Sequence, residues 1–359
     1  MVSQELKNNM VNDWNFEQDL QSIFDRTLQV WPELRSARIF ITGGTGFIGC
    51  WLLESLLYAN KKLDLNIHAT VLTRSAKAFE QKIPHLFSSP SLEFLDGNVC
   101  DFISPPGVYS HIIHAATDAS ADLNENNPLQ MYQTVIEGTL RVLKFAAEKK
   151  SKKVLFLSSG AVYGQQPWEL FNVPESYLGG PSCVDARATY AEAKRAAEML
   201  CAVFQKQFGL QIAIARIFAL LGPYLSLEIH FAAGNFIRDA MQGREIVING
   251  NGLPCRSYLY ASDLTVALWH LLIKGESCKP YNVGSSEGIS IKELAEKVTS
   301  VLGGGSPKIL GSEDTGWNPG RYVPSTALIE SELNLKRTVS LEQAILRTAI
   351  WNGWKGRKL

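Results

Sequence analysis

The chain has 359 residues, 46% hydrophobic and 19% charged, which suits one large domain with a lobe, or two domains, around a substantial core. Lys and Arg total 35 against 35 Asp and Glu, so neither a nucleic-acid nor a membrane-surface footprint is expected, and any anion binding falls to local basic features. Six cysteines without a CxxC pair and histidines without ligand spacing argue against a metal or a disulfide scaffold. With no signal-peptide pattern and no apolar run of about 18 residues, the expected location is cytoplasmic.

Residues 1–36 read as a polar lead-in. Phe16, Leu20, Ile23, Phe24 and Leu28 recur at helical spacing, with Asp13 as the expected N-cap. Arg38–Thr42 is then a short apolar strand, followed by glycines and a helix through about Tyr58. Strands are expected at Ile67–Leu72, Leu92–Leu95, Ile112–Ala116, Val154–Ser158 and Gln211–Ile217, with helices at Leu129–Lys149 and Ala191–Phe208. Strands alternating with helices predict an α/β fold, a doubly wound parallel sheet over residues 37–222. After Gly222 the pattern loosens, with a helix near Lys292–Leu302. Residues 223–359 read as a smaller substrate-binding α/β lobe, with room for strands that return to the first sheet.

The segment Gly43-Gly44-Thr45-Gly46-Phe47-Ile48-Gly49 follows a strand and opens a helix, which is the context of a Rossmann-type dinucleotide turn. Gly43 permits the tight turn, Gly46 admits a pyrophosphate close to the backbone, and Gly49 lets helix pack on strand. Free N–H groups at the helix start then meet phosphate oxygens. Downstream lie Ser158-Ser159-Gly160-Ala161-Val162-Tyr163-Gly164, after the fifth strand, and Tyr190-Ala191-Glu192-Ala193-Lys194, opening a helix. Tyr190 and Lys194, four residues apart, share a helix face. An ammonium beside the phenol is expected to pull its pKa from about 10 toward neutrality, fitting Tyr190 to exchange a proton with a substrate hydroxyl. Tyr163 is expected to be structural.

The GxxGxxG spacing, followed by this serine segment and YxxxK, resembles the extended short-chain dehydrogenase/reductase superfamily. Within it the chain resembles the NAD-dependent epimerase/dehydratase family, which acts on nucleotide-sugars. The resemblance implies cofactor contacts from Gly43, Thr45, Gly46, Phe47, Ile48 and Gly49, from Thr73 and Arg74 at the end of the second strand, and from Asn98 and Val99 after the third. It implies further contacts from Ala115 and Ala116 after the fourth strand and from Lys194, and catalytic roles for Ser159, Tyr190 and Lys194. An acid at the second-strand end would favour NAD; Thr73-Arg74 leaves NAD and NADP both open. Asn235 resembles the asparagine that holds the nucleotide in UDP-glucuronate decarboxylases. Arg256 and Arg321 resemble that lobe's phosphate arginines, whose forks match phosphate oxygens, and Asp118 lies where relatives contact substrate. A homodimer through the two long helices is the family's expected assembly.

The chain departs from those relatives at Gly160-Ala161. Sugar 4,6-dehydratases carry an Asp-Glu pair there, and the decarboxylases keep the glutamate, so the usual acid and base of elimination are missing. The retained residues suffice to oxidise an alcohol or reduce a ketone, so C4 epimerisation is the expected reaction. NADPH-dependent 4-keto reduction stays open, as does a dehydratase or decarboxylase with its acid relocated to Asp118, Ser120, Cys183, Asp185 or His230. A non-catalytic dinucleotide-binding module is the alternative from outside enzymology.

Overall fold

The computed structural model describes residues 14–117, 121–228, 232–312 and 320–356. Asp13, Asp118, Ser120 and His230 lie outside them.

Helix α1 spans Phe16–Thr27, and its N-cap is Asn15, whose side chain accepts from the Gln18 N–H. Strand β1, Arg38–Thr42, runs through the glycine turn into α2, Phe47–Leu63. Then follow β2 (His68–Thr73), α3 (Ala76–Lys82), β3 (Leu92–Asp96), β4 (His111–His114), α4 (Pro128–Lys149) and β5 (Lys153–Ser159). Helix α5, Thr189–Phe208, leads into β6, Ile212–Ile217. The second half contributes α6 (Ala232–Met241), α7 (Ala261–Lys274), β7 (Pro280–Val283), α8 (Ile291–Leu302) and α9 (Leu341–Trp351), with a short helical turn at Ala327–Leu333.

The seven strands form one sheet in the order β7-β6-β5-β4-β1-β2-β3, and every pairing is parallel. Strands β1, β5 and β6 are almost wholly buried, as a sheet covered on both faces requires. The order reverses between β1 and β4. That switch point opens a crevice at the carboxyl ends of the strands, where ligands of such sheets bind.

The second half returns to this sheet. β7 pairs with β6, Tyr281 opposite Ala215, and α7 packs on β5 and β6. A separate core holds the rest of the second half, joining Phe236, Ile237, Leu294, Val298 and Ile345. A small sheet in this part pairs Cys255–Arg256 with Ile289–Ser290 on one side and Arg321–Tyr322 on the other.

Candidate active site

The glycine turn closes against the end of β4. Gly43 has φ +72°, and a Cβ added there would lie 2.6 Å from the Ala115 carbonyl carbon. An added Cβ on Gly49 would come within 2.4 Å of the Gly43 oxygen, so both positions admit only glycine. Gly46 differs: its nearest neighbour would be the Gly43 oxygen at 3.4 Å, and the residue is exposed. Gly46 is also the N-cap of α2, and no side chain caps that helix start. Phe47 and Ile48 in its first turn are half-buried.

The Thr42 hydroxyl receives the Ala116 N–H at 3.1 Å and meets His114 Nδ1 at 2.7 Å. His114 Nε2 reaches Thr139 on α4, and burial pushes its pKa down to about 3, so the imidazole is a neutral brace. Three residues beyond His114, Thr117 Oγ1 is buried without a hydrogen-bond partner among the described residues. An open, uncapped helix start beside a glycine cradle, with an orphaned hydroxyl just after β4, fits a dinucleotide laid over the switch point.

At the end of β2, Thr73 is buried, and its hydroxyl lies 3.4 Å from that of Thr45. Arg74 is exposed beside it. Asp96, its neighbour on β3, accepts the Ala76 N–H at the start of α3. Asn98 is exposed and accepts the Cys100 N–H. The Val99 side chain belongs to the core instead: Gly138 of α4 passes so close that an added Cβ would sit 2.9 Å from it.

β5 delivers Ser159 and α5 delivers Tyr190 and Lys194. Ser159 is buried, and its hydroxyl accepts the Ala161 N–H at 3.1 Å. Lys194 is buried as well, and its ammonium donates to the Leu157 carbonyl at 2.8 Å and lies over the Phe156 ring. Burial lowers the Lys194 pKa to about 8, against a partial pull upward from Glu198. The expected acidified phenol is not what the structure holds. Burial raises the Tyr190 pKa, with only the neighbouring Ser159 hydroxyl opposing it, because the ammonium is spent on Leu157 rather than on the phenol.

Glu198, one turn beyond Lys194, was not singled out in the sequence. It accepts from Ser158 at 2.6 Å and from Arg216 of β6 at 2.7 Å, so it ties α5 to β5 and β6. A carboxylate eight residues after Tyr190 on the same helix face was the available signal. Tyr163 is structural: its hydroxyl donates to Asn282 at 2.7 Å.

A side chain at Gly160 would have to displace the Phe218 ring. The Phe218 ring lies 2.5 Å from where its Cβ would be. Asp185 caps the turn at Ala186 and pairs with Arg187 at 2.8 Å, and Cys183 is exposed.

Of the residues expected to grip substrate, Asn235 sits in the first turn of α6 and accepts from Arg238. Arg256 and Arg321 do not share a face. In the parallel pairing, Tyr322 stands opposite Arg256 and Arg321 opposite Cys255. The Arg256 guanidinium is 6.0 Å from the Tyr322 ring, whereas Arg321 lies over the exposed Phe171. The residue that the Arg321-Tyr322 strand presents to Ser159 is therefore Tyr322, whose hydroxyl is 3.5 Å from Ser159 Oγ.

Residues 39–284 match the NAD-dependent epimerase/dehydratase family. The chain belongs to that family. Its members are NAD-dependent enzymes of nucleotide-sugar chemistry. UDP-glucuronic acid decarboxylase 5 of Arabidopsis thaliana is 30% identical over 310 residues, covering 86% of this chain and 87% of that protein. UDP-glucuronic acid decarboxylase 1 of Xenopus tropicalis is 29% identical, over 87% of this chain and 71% of its own length. The fold matches UDP-glucose 4-epimerase of Thermotoga maritima with a TM-score of 0.74 at 22% identity, over 88% of this chain and 98% of that one. It equally matches dTDP-glucose 4,6-dehydratase of Streptomyces venezuelae, with a TM-score of 0.74 at 23% identity, over 88% and 96%. Among the described residues no helix is long and apolar enough to cross a membrane, and no cluster of His, Cys, Asp and Glu could hold a metal ion.

Proposed function

We propose that this family member oxidises and re-reduces C4 of a nucleoside diphosphate sugar, acting as a C4 epimerase. One observation carries the choice: the Phe218 ring closes over Gly160 and the next residue is Ala161, so neither position beside Ser159 holds a carboxylate. Hydride chemistry needs one proton acceptor at the sugar hydroxyl, whereas elimination needs an acid and a base in addition.

NAD would lie with its pyrophosphate over Gly43–Gly49, its adenosine ribose near Thr73 and its nicotinamide end toward Lys194. When bound it accepts and returns a hydride. Ser159 would hold the sugar oxygen, and Tyr190 would take the hydroxyl proton and return it to the same oxygen once the 4-keto sugar has turned its other face to the returning hydride. With the phenol pKa raised by burial, Tyr190 needs the Lys194 charge turned toward it in the loaded site. Asn235 and Arg256 are the proposed holds on the nucleoside diphosphate, with Arg321 at the rim. The second copy of the chain is proposed to dock on the outer faces of α4 and α5.

The test is proton NMR of UDP-glucose incubated with the protein and NAD. Growth of the C4 epimer at constant total NAD supports the reading, and Tyr190→Phe should lower turnover at least about 100-fold while NAD still binds. Net NADPH consumption with a 4-keto sugar would replace it with a reductase. The likeness to decarboxylases favours one second reading, because a 4-keto uronic acid is a β-keto acid that readily loses carbon dioxide. Carbon dioxide release from UDP-glucuronic acid would establish that instead.

A further inference from the structure

Tyr322 lies in sequence beyond both halves of the catalytic constellation, yet it reaches the centre of the site. Its hydroxyl stands 3.5 Å from Ser159 Oγ and 3.4 Å from the Ile217 carbonyl. Its ring packs on Phe218 with centroids 4.5 Å apart, and the Arg256 guanidinium flanks it. Phe218 is the ring that closes over Gly160. Phe218 and Tyr322 together thus form one aromatic wall beside Ser159, and the only polar atom on the Tyr322 side chain is aimed at the serine.

Proton counting shows what that hydroxyl can do. The Ile217 carbonyl only accepts, and Ser159 Oγ already accepts from the Ala161 N–H. Each hydroxyl has one proton. If Tyr322 donates to Ile217, Ser159 can spend its proton on Tyr322. If Tyr322 donates to Ser159, the serine proton is released toward Tyr190 and any oxygen held between them. The phenol stays neutral throughout, since burial pushes its pKa up, so it can always donate.

We infer that Tyr322 is a positioning residue for hydride transfer: its hydroxyl orients the Ser159 proton toward the reacting sugar oxygen. This rests on the hydride-transfer reading above. The role is to aim a hydrogen bond that strengthens as charge develops on the oxygen, so its loss falls on rate rather than on nucleotide binding.

Tyr322→Phe removes one oxygen and leaves the ring on Phe218. Two measurements decide the matter. In the first, NAD reduction is followed at 340 nm in a single turnover with UDP-glucose or UDP-glucuronic acid. The variant should react roughly 10- to 100-fold more slowly, with UDP and NAD affinities within about twofold of the parent. Equal rates, or a raised KM at unchanged kcat, would overturn the inference. The second measurement needs no turnover. Unfolding midpoints of Ser159→Ala, Tyr322→Phe and the double variant should not add, because both single changes remove the same bond. Additive midpoints would overturn it too. If the parent protein neither forms the C4 epimer nor reduces NAD with either probe, the hydride-transfer reading fails, and the stability cycle still shows whether Tyr322 holds Ser159.

Discussion

The three glycines of the turn have separate duties, and substitution should separate them. Gly49→Ala drives a methyl into the Gly43 and Gly44 backbone at 2.4 Å, where nothing flexible can give way. It should cost about 2–4 kcal/mol of stability, read as a lowered unfolding midpoint. Gly46→Ala meets only one atom, at 3.4 Å, so the fold should tolerate it. The methyl would instead occupy the proposed path of the pyrophosphate. Calorimetry should show NAD affinity down about 100-fold at an unchanged melting temperature; equal NAD affinity would remove Gly46 from the site. The turn made by these glycines, and the placement of Ser159 at the end of β5 and of Tyr190 and Lys194 at the start of α5, were legible from motif spacing. Tyr322 was not, since its role depends on a two-residue strand pairing that faces it, rather than Arg321, toward Ser159. Nor could spacing show that Lys194 turns to a backbone carbonyl, because that depends on where β5 ends against α5.

At the scale of elements, alternation of apolar strands and amphipathic helices placed the six strands up to β6, while helix starts shifted to local caps. Asn15 caps α1, since its carboxamide oxygen reaches the Gln18 N–H. The late strand β7 joins the first sheet through four residues whose pattern alone could not announce it. The role of α1 was equally hidden. Its apolar face was readable, but the partners of its polar residues come from the far end of the chain. Asp19 is buried and accepts from Tyr260 and from Arg347 of α9, each at 2.5 Å, while Arg26 pairs with Asp263 of α7. The same Asp263 carboxylate receives the Thr338 and Val339 N–H groups. Helix α1 therefore clamps α7 to the C-terminal helix. Asp19→Ala leaves Arg347 and the Tyr260 hydroxyl without their acceptor and should cost about 3 kcal/mol, seen as a lower urea midpoint. Turnover per folded molecule should not change, because Asp19 is no part of the site. A midpoint within error of the parent would mean that α1 does not clamp the second half.

At the scale of the whole molecule, the described residues of the two long helices leave an apolar surface uncovered. Helices α4 and α5 pack against each other on the sheet, and their outer sides carry Leu129, Tyr132, Met199 and Val203, all exposed. Along α4, Leu129, Tyr132, Ile136 and Leu140 follow one face at helical spacing, the last two half-buried. Met199 and Val203 do the same on α5, one turn apart. Two copies related by a twofold axis would bring four helices together and bury the same patch on each, the self-complementary geometry of a cyclic dimer. A stable contact of this kind buries about 800 Å² per partner, an area that two helices of this length can supply. Sedimentation at micromolar concentration should then give twice the chain mass. Replacing Met199 and Val203 together by Asp should yield a monomer with an unchanged circular dichroism spectrum, since both side chains point away from the core. A parent protein that sediments as a monomer would refute the dimer and leave the patch to another partner.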